Sequence, residues 1–182
     1  MGRPHIRKRF KDIDDIVVYS TSSKDIEQAH KRACRLGASA SCNAGISSRM
    51  VGFLGEVAVC RFLGVRSRYV GFEQSAYDIV YKKQRIEVKS KNCQMRPSPE
   101  FNAFANGRKG VIPDNDIYFF TRVKSDYQKV YLCGWLPTPT FFDEAKFLAK
   151  GMADDSGFVF KLNGYHINIS ELHPAREFKK QY

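Results

Sequence analysis

Asp78, Glu87 and Lys89 are the residues of this chain best suited to chemistry. They sit in two short pieces, Tyr77-Asp78-Ile79-Val80 and Ile86-Glu87-Val88-Lys89, separated by the polar stretch Lys82-Lys83-Gln84-Arg85. Carboxylates offer the hard oxygen donors that Mg²⁺ prefers, and this ion usually takes only one or two of them, leaving positions for water and phosphate. Such an ion polarises a phosphoryl oxygen and lowers the pKa of bound water. A neighbouring lysine orients the attacking water or stabilises the charge that builds on the phosphate. The chemistry to expect is metal-assisted hydrolysis of a phosphate ester, with Mg²⁺ as cofactor and Mn²⁺ as its substitute. On an exposed hairpin the same residues would form only a weak cross-strand ion pair, so their surroundings decide.

Both pieces alternate apolar and polar residues and read as strands. Glu87 and Lys89 then share one face while Ile86 and Val88 take the other, and Asp78 shares a face with Val80. The polar stretch between them is short enough to turn the chain back and set Asp78 close to Glu87. Upstream, Met50, Leu54, Val57, Ala58 and Phe62 recur at helical spacing, and Gly64 suits the helix C-terminus. Glu56 lies on that helix between apolar neighbours, an odd place for a carboxylate without a partner or a metal.

Helix Glu56, strand Asp78 and strand Glu87-Val88-Lys89, in that order, resemble the signature of the PD-(D/E)XK nuclease superfamily. Tyr77 stands where the family's name has proline. The resemblance is strongest over residues 45–95. It implies an α/β fold, a restriction-endonuclease-like αβ sandwich with a central mixed β-sheet flanked by helices. It also implies a catalytic set of Glu56, Asp78, Glu87 and Lys89. Asp78, Glu87 and the backbone carbonyl of Val88 would hold the metal, with Glu56 completing or supporting the site. The product ends would be 5′-phosphate and 3′-hydroxyl. Asn92 and Gln94 follow the motif at positions where some relatives place a polar amide, and Glu73 is a rival acid in the preceding loop. The overall plan looks like that of small phage-encoded or mobile-element nucleases.

Composition agrees with a nucleic-acid substrate. Thirty Lys and Arg against nineteen Asp and Glu give a formal net charge of +11 over 182 residues. An excess of this size attracts polyanions and supports salt-sensitive binding to phosphate backbones. The length suits one domain, 1–182, with a basic arm over 1–11. Five cysteines and four histidines are scattered without zinc-ligand spacing. No apolar run reaches membrane-spanning length and no secretion signal stands at the N-terminus, so the expected location is the cytoplasm, the host's for a phage-encoded chain.

The remaining elements frame the site. Ile16–Tyr19 reads as a short strand. Ser22 or Ser23 caps a helix carrying Ile26, Ala29, Ala33 and Leu36, ended by Gly37, and 37–48 reads as a loop. Residues 93–115 read as a long irregular loop, with Phe101 and Phe104 to pack or to stack on bases. Asp116–Val123 and Gln128–Trp135 read as a hairpin that extends the sheet. A helix is expected from Thr140 through Leu148, a hairpin of 158–162 with 165–169 across Asn163-Gly164, and a short terminal helix capped by Ser170. DNA is the expected partner, met by Arg7, Lys8 and Arg9 of the arm and by Arg96, Arg108 and Lys109 of the loop. Should these cations point elsewhere, Lys31, Arg32 and Arg35 of the first helix are the next face to consider. A branched-DNA or Holliday-junction resolvase would use the same chemistry as a homodimer. A basic nucleic-acid-binding protein that does not cleave is the reading from another class.

Overall fold

Strand and helix ends follow local chemistry. In the computed structural model, described over residues 13–35, 45–65, 77–153 and 159–182, strand β1 (Val17–Ser20) leads into helix α1 (Ser23–Arg35). The Asp25 N–H donates to Ser22 Oγ at 3.2 Å and the Ser22 N–H to Asp25 Oδ2 at 3.0 Å, a reciprocal cap that satisfies two backbone donors of the first turn. Helix α2 (Ile46–Leu63) begins four residues before the expected Met50. It ends at Gly64, whose φ of 75° is the left-handed cap the sequence predicted.

Strands β2 (Ile79–Tyr81) and β3 (Gln84–Cys93) form the expected hairpin. Its turn residues Lys82 and Lys83 both take positive φ, 45° and 70°, the handedness that matches the twist of the flanking strands. β5 (Ile117–Lys124) and β6 (Lys129–Pro137) form the next hairpin. Together these strands make a mixed five-stranded sheet in the order β1-β6-β5-β3-β2, with β3 parallel to β5 and the other pairs antiparallel.

The parallel pair needs a crossover, and here the structure corrects the sequence reading. Residues 93–115 are not all loop. They contain β4 (Asn102–Asn106), which pairs with β8 (Gly164–Asn168). Helix α3 (Thr138–Glu144) starts right after Pro137, earlier than Thr140, with Pro139 in its first turn, where a proline's missing N–H costs no helical bond. The chain beyond it is β7 (Lys146–Leu148), not helix. β8 pairs with β4 and β7 in a small antiparallel sheet, so the expected hairpin across Asn163-Gly164 does not form. Phe158 lies outside the described residues, while Phe160 and Met152 exchange a backbone bond instead. Ser170 falls inside the 3-10 turn Ile169–Glu171, and helix α4 (Ala175–Gln181) starts after Pro174.

Two faces of the main sheet are covered differently. Ile86, Val88, Ile117, Phe119 and Trp135 pack under α2 and α4, with Val59, Leu63 and Phe178. Tyr118, Phe120 and Cys133 pack under α3 and the small sheet, with Phe141, Tyr165 and Ile167. Full burial of each such side chain stabilises the fold by about 1.5–3 kcal/mol. Trp135 is 1% exposed, donates its indole N–H to Pro174 C=O at 3.2 Å and meets the Phe178 ring edge-on at 5.1 Å. Among the described residues no helix is long and apolar enough to cross a membrane. Cys34 is exposed and Cys60, Cys93 and Cys133 are buried, all as thiols without disulfides.

Candidate active site

Three acids and two cations meet where β2 parts from β3. Ile79 is registered with Ile86, so one step further Asp78 stands across from Glu87. The Asp78 N–H donates to Ile86 C=O at 2.9 Å. Its carboxylate Oδ2 then accepts the Val88 N–H at 2.7 Å. Along a strand, one residue's N–H and C=O point to the same neighbour, so the Val88 carbonyl faces the edge where Asp78 stands. Glu87 is registered with Tyr118 and Lys89 with Phe120 on the parallel neighbour. Lys89 Nζ donates to Glu87 Oε1 at 2.6 Å.

Glu56 reaches this corner because α2 lies unusually close to the sheet. A Cβ on Gly55 would stand 2.0 Å from Ser90 Oγ and 2.6 Å from Thr121 Oγ1. These two hydroxyls are themselves hydrogen-bonded at 2.8 Å. A glycine inside a helix costs about 1 kcal/mol against alanine, and here close approach to the sheet is its return. Arg32 of α1 comes from the other side. Its guanidinium lies 4.0 Å over the Phe53 ring and 3.4 Å from Glu56 Oε2.

The electrostatics are those of crowded acids. Burial first, then the Asp78 charge and more weakly that of Glu87, push Glu56 up to about 8 against the pull of Arg32. Burial likewise raises Glu87 to about 7, opposed by Lys89 and reinforced by Asp78. Asp78 is raised by burial, although the Val88 N–H and the Lys89 charge oppose it. Glu56 and Glu87 each keep 18% of their side-chain surface in solvent, so the corner is shielded but not sealed. Negative charge gathered in a half-dry corner calls for a counter-cation. Among the described residues no three acid, imidazole or thiol groups form a ready-made metal cage; Asp78 Oδ2 is engaged by the Val88 N–H and Glu87 Oε1 by Lys89.

The structure thus brings together Glu56, Asp78, Glu87, Val88 and Lys89. It does not recruit the neighbouring amides. Asn92 Oδ1 accepts the Ser125 hydroxyl at 2.7 Å, and Gln94 is exposed. Arg96 donates to Ile13 C=O at 2.8 Å beside Asp14 at 3.4 Å and keeps 40% of its side-chain surface in solvent. Arg108 and Lys109 are exposed on the loop after β4, whose Gly110 N–H donates to Tyr165 Oη at 2.9 Å. Phe101 and Phe104 carry Arg122 and Lys91 on their rings at 5.4 and 5.6 Å, and Phe104 also packs against His166 at 4.6 Å. Arg7, Lys8, Arg9 and Glu73, with most of the 37–48 loop, lie outside the described residues. Sequence reasoning missed the partnership of Arg32 with Glu56, which only the packing of α1 on α2 creates. It also missed Gly55, although a glycine beside an isolated helical acid is a readable sign of close approach.

No protein-family model matches this chain, and no curated protein is similar to it at a significant level.

Proposed function

We propose that this protein is a metal-dependent DNA nuclease with a restriction-endonuclease-like αβ sandwich, similar to the PD-(D/E)XK superfamily. The observation that carries the reading is the meeting of Glu56, Asp78 and Glu87 beside Lys89 at one half-buried sheet edge. That donor set fits a hard divalent cation, because one or two carboxylates and a backbone carbonyl suffice for Mg²⁺. Asp78, Glu87 and the Val88 carbonyl would hold Mg²⁺, or Mn²⁺ in its place, with Glu56 in support. When bound, the ion would supply Lewis-acid polarisation of the phosphate and a lowered pKa for water.

The chain's own groups do the positioning. Lys89 Nζ, a donor of three protons and an acceptor of none, aligns the attacking water and stabilises charge on the phosphate oxygens. Glu87 fixes Lys89 through their 2.6 Å contact. The Val88 N–H fixes the Asp78 carboxylate. Water oxygen bonds to phosphorus as the phosphorus–O3′ bond breaks; the attacking water gives up one proton and the departing O3′ gains one. The products are a 5′-phosphate and a 3′-hydroxyl.

The test is a cleavage panel over linear duplex, single-stranded, closed circular and four-way-junction DNA, with Mg²⁺ or with EDTA. The expected outcome is cutting in Mg²⁺ that is lost in EDTA and in Asp78→Asn and Glu87→Gln. Nicking of closed circles identifies an endonuclease, and a need for ends identifies an exonuclease. Paired symmetric cuts at the junction identify a dimeric resolvase. Binding without cutting of any form in either metal would move the protein to the non-cleaving class.

A further inference from the structure

Helix α1 turns a cationic stripe toward α2, and the stripe ends at the acids. Gln28, Lys31, Arg32 and Arg35 fall at i, i+3, i+4 and i+7, one side of a helix. Opposite them stand Phe53 and Val57 of α2, and the groove between has a volume of about 470 Å³. Arg32 occupies its inner end, stacked on Phe53 and paired with Glu56. Arg35 is exposed, and Lys31 keeps 63% of its side-chain surface in solvent while Glu27 holds it from the rim at 2.5 Å. No acid is among the residues that line the groove itself.

We propose that this groove is the track for the sugar–phosphate backbone of a nucleic-acid strand, with Arg35 and Lys31 as outer phosphate contacts and Arg32 as the inner one. What lies at the end of the track rests on the nuclease reading; the binding does not. The stripe from Gln28 to Arg35 is ~10.5 Å long at the helical rise of 1.5 Å per residue, long enough to meet more than one successive phosphate of a strand. The apolar wall of Phe53 and Val57 suits the sugars between phosphates. Arg32, stacked on Phe53 and paired with Glu56, stands where the track meets the acids.

The test reads binding in EDTA, where cleavage plays no part, using fluorescent duplex and single-stranded oligonucleotides from about 20 to 300 mM salt. Lys31→Ala/Arg35→Ala is compared with wild type and with Lys161→Ala/Lys180→Ala, which removes two exposed cations elsewhere. The log–log salt slope should fall by about 1.8 for duplex or about 1.4 for a single strand in the first variant, and stay near wild type in the second. Lys31→Glu/Arg35→Glu should weaken binding further, and unchanged thermal melting would show that both variants are folded. Equal slopes for wild type and both α1 variants would overturn the track and leave the nuclease reading standing. A slope change in a protein that never cuts would keep the track and discard the nuclease. A wild type that binds neither oligonucleotide would overturn the track outright.

Discussion

Glu56, Asp78 and Glu87 hold protons more tightly than solvent-exposed carboxyls do, and this has a direction in pH. In an unfolded chain Glu56 has its ordinary pKa of 4.5; folded, it stands at about 8. Between those values the folded protein binds more protons, so its stability is full below about pH 4.5 and drains as pH rises through about 8. The groups that act on Glu56 are Arg32 from α1, Asp78 before β2 and Glu87 on β3, and Cys60 one turn along α2 feels its charge. In EDTA the melting temperature should therefore drop from pH 5 to pH 8.5. Glu56→Gln should flatten that drop, and Mg²⁺ should restore stability at pH 8.5 but not at pH 5. A melting temperature that rises over this range in EDTA would refute the crowding. Lys89 is a separate matter, because in the proposed mechanism it contributes charge to the reacting phosphate and little to bulk attraction. Lys89→Ala should slow cleavage by about 10²-fold or more while oligonucleotide affinity in EDTA stays close to wild type. A rate near that of the parent would reduce Lys89 to a surface cation.

Elements matter here through how closely they approach. α2 can present Glu56 only because Gly55 lets it rest on the hydroxyls of Ser90 and Thr121. Gly55→Ala should cost about 1–3 kcal/mol of stability through overpacking, read as a lower denaturant midpoint, and should reduce cleavage more than Val57→Ala does. Adding Ser90→Ala should return part of both, since the closest clash is with Ser90 Oγ at 2.0 Å; no recovery would mean that the helix is held elsewhere. The same elements show what the sequence could and could not tell. The β2–β3 hairpin, the Ser22 cap and the Gly64 cap were legible because each is decided within a few residues by alternation, side-chain oxygens or φ. β4 was hidden because Asn102–Asn106 has little strand character and pairs with Gly164–Asn168 some sixty residues away. β7 was hidden in the same way, since Lys146–Leu148 became strand only by joining β8. The acids were visible as a motif, but Arg32 was one basic residue among many until α1 packed against α2.

At the scale of the whole molecule, a chain of net charge +11 carries three of its nineteen acids, Glu56, Asp78 and Glu87, together at one sheet edge. On the proposed reading a polyanion would be attracted over a Debye length of about 8–10 Å and then admitted to a corner that would repel it without a counter-cation. The sheet that builds this corner joins two local hairpins, β2–β3 and β5–β6, through non-local pairings. β3 lies parallel to β5 across a crossover, and β6 is the neighbour that joins β1 to β5. At the far side of β6 sits the chain's single tryptophan, Trp135, clasped by Pro174 and Phe178. Nature has thereby left one optical reporter in the molecule, and it views the docking of the C-terminal helix rather than the acids. Its emission should be blue-shifted in the native state and red-shifted on unfolding. In urea it should change at the same midpoint as the far-ultraviolet signal of the backbone. Two separated midpoints would mean that α4 leaves before the sheet melts. Because the indole belongs to the α2–α4 side of the sheet core, Mg²⁺ titration at neutral pH should leave its emission wavelength unchanged. Folding and metal loading can then be followed in one cuvette, the first by light and the second by heat, without attaching any label.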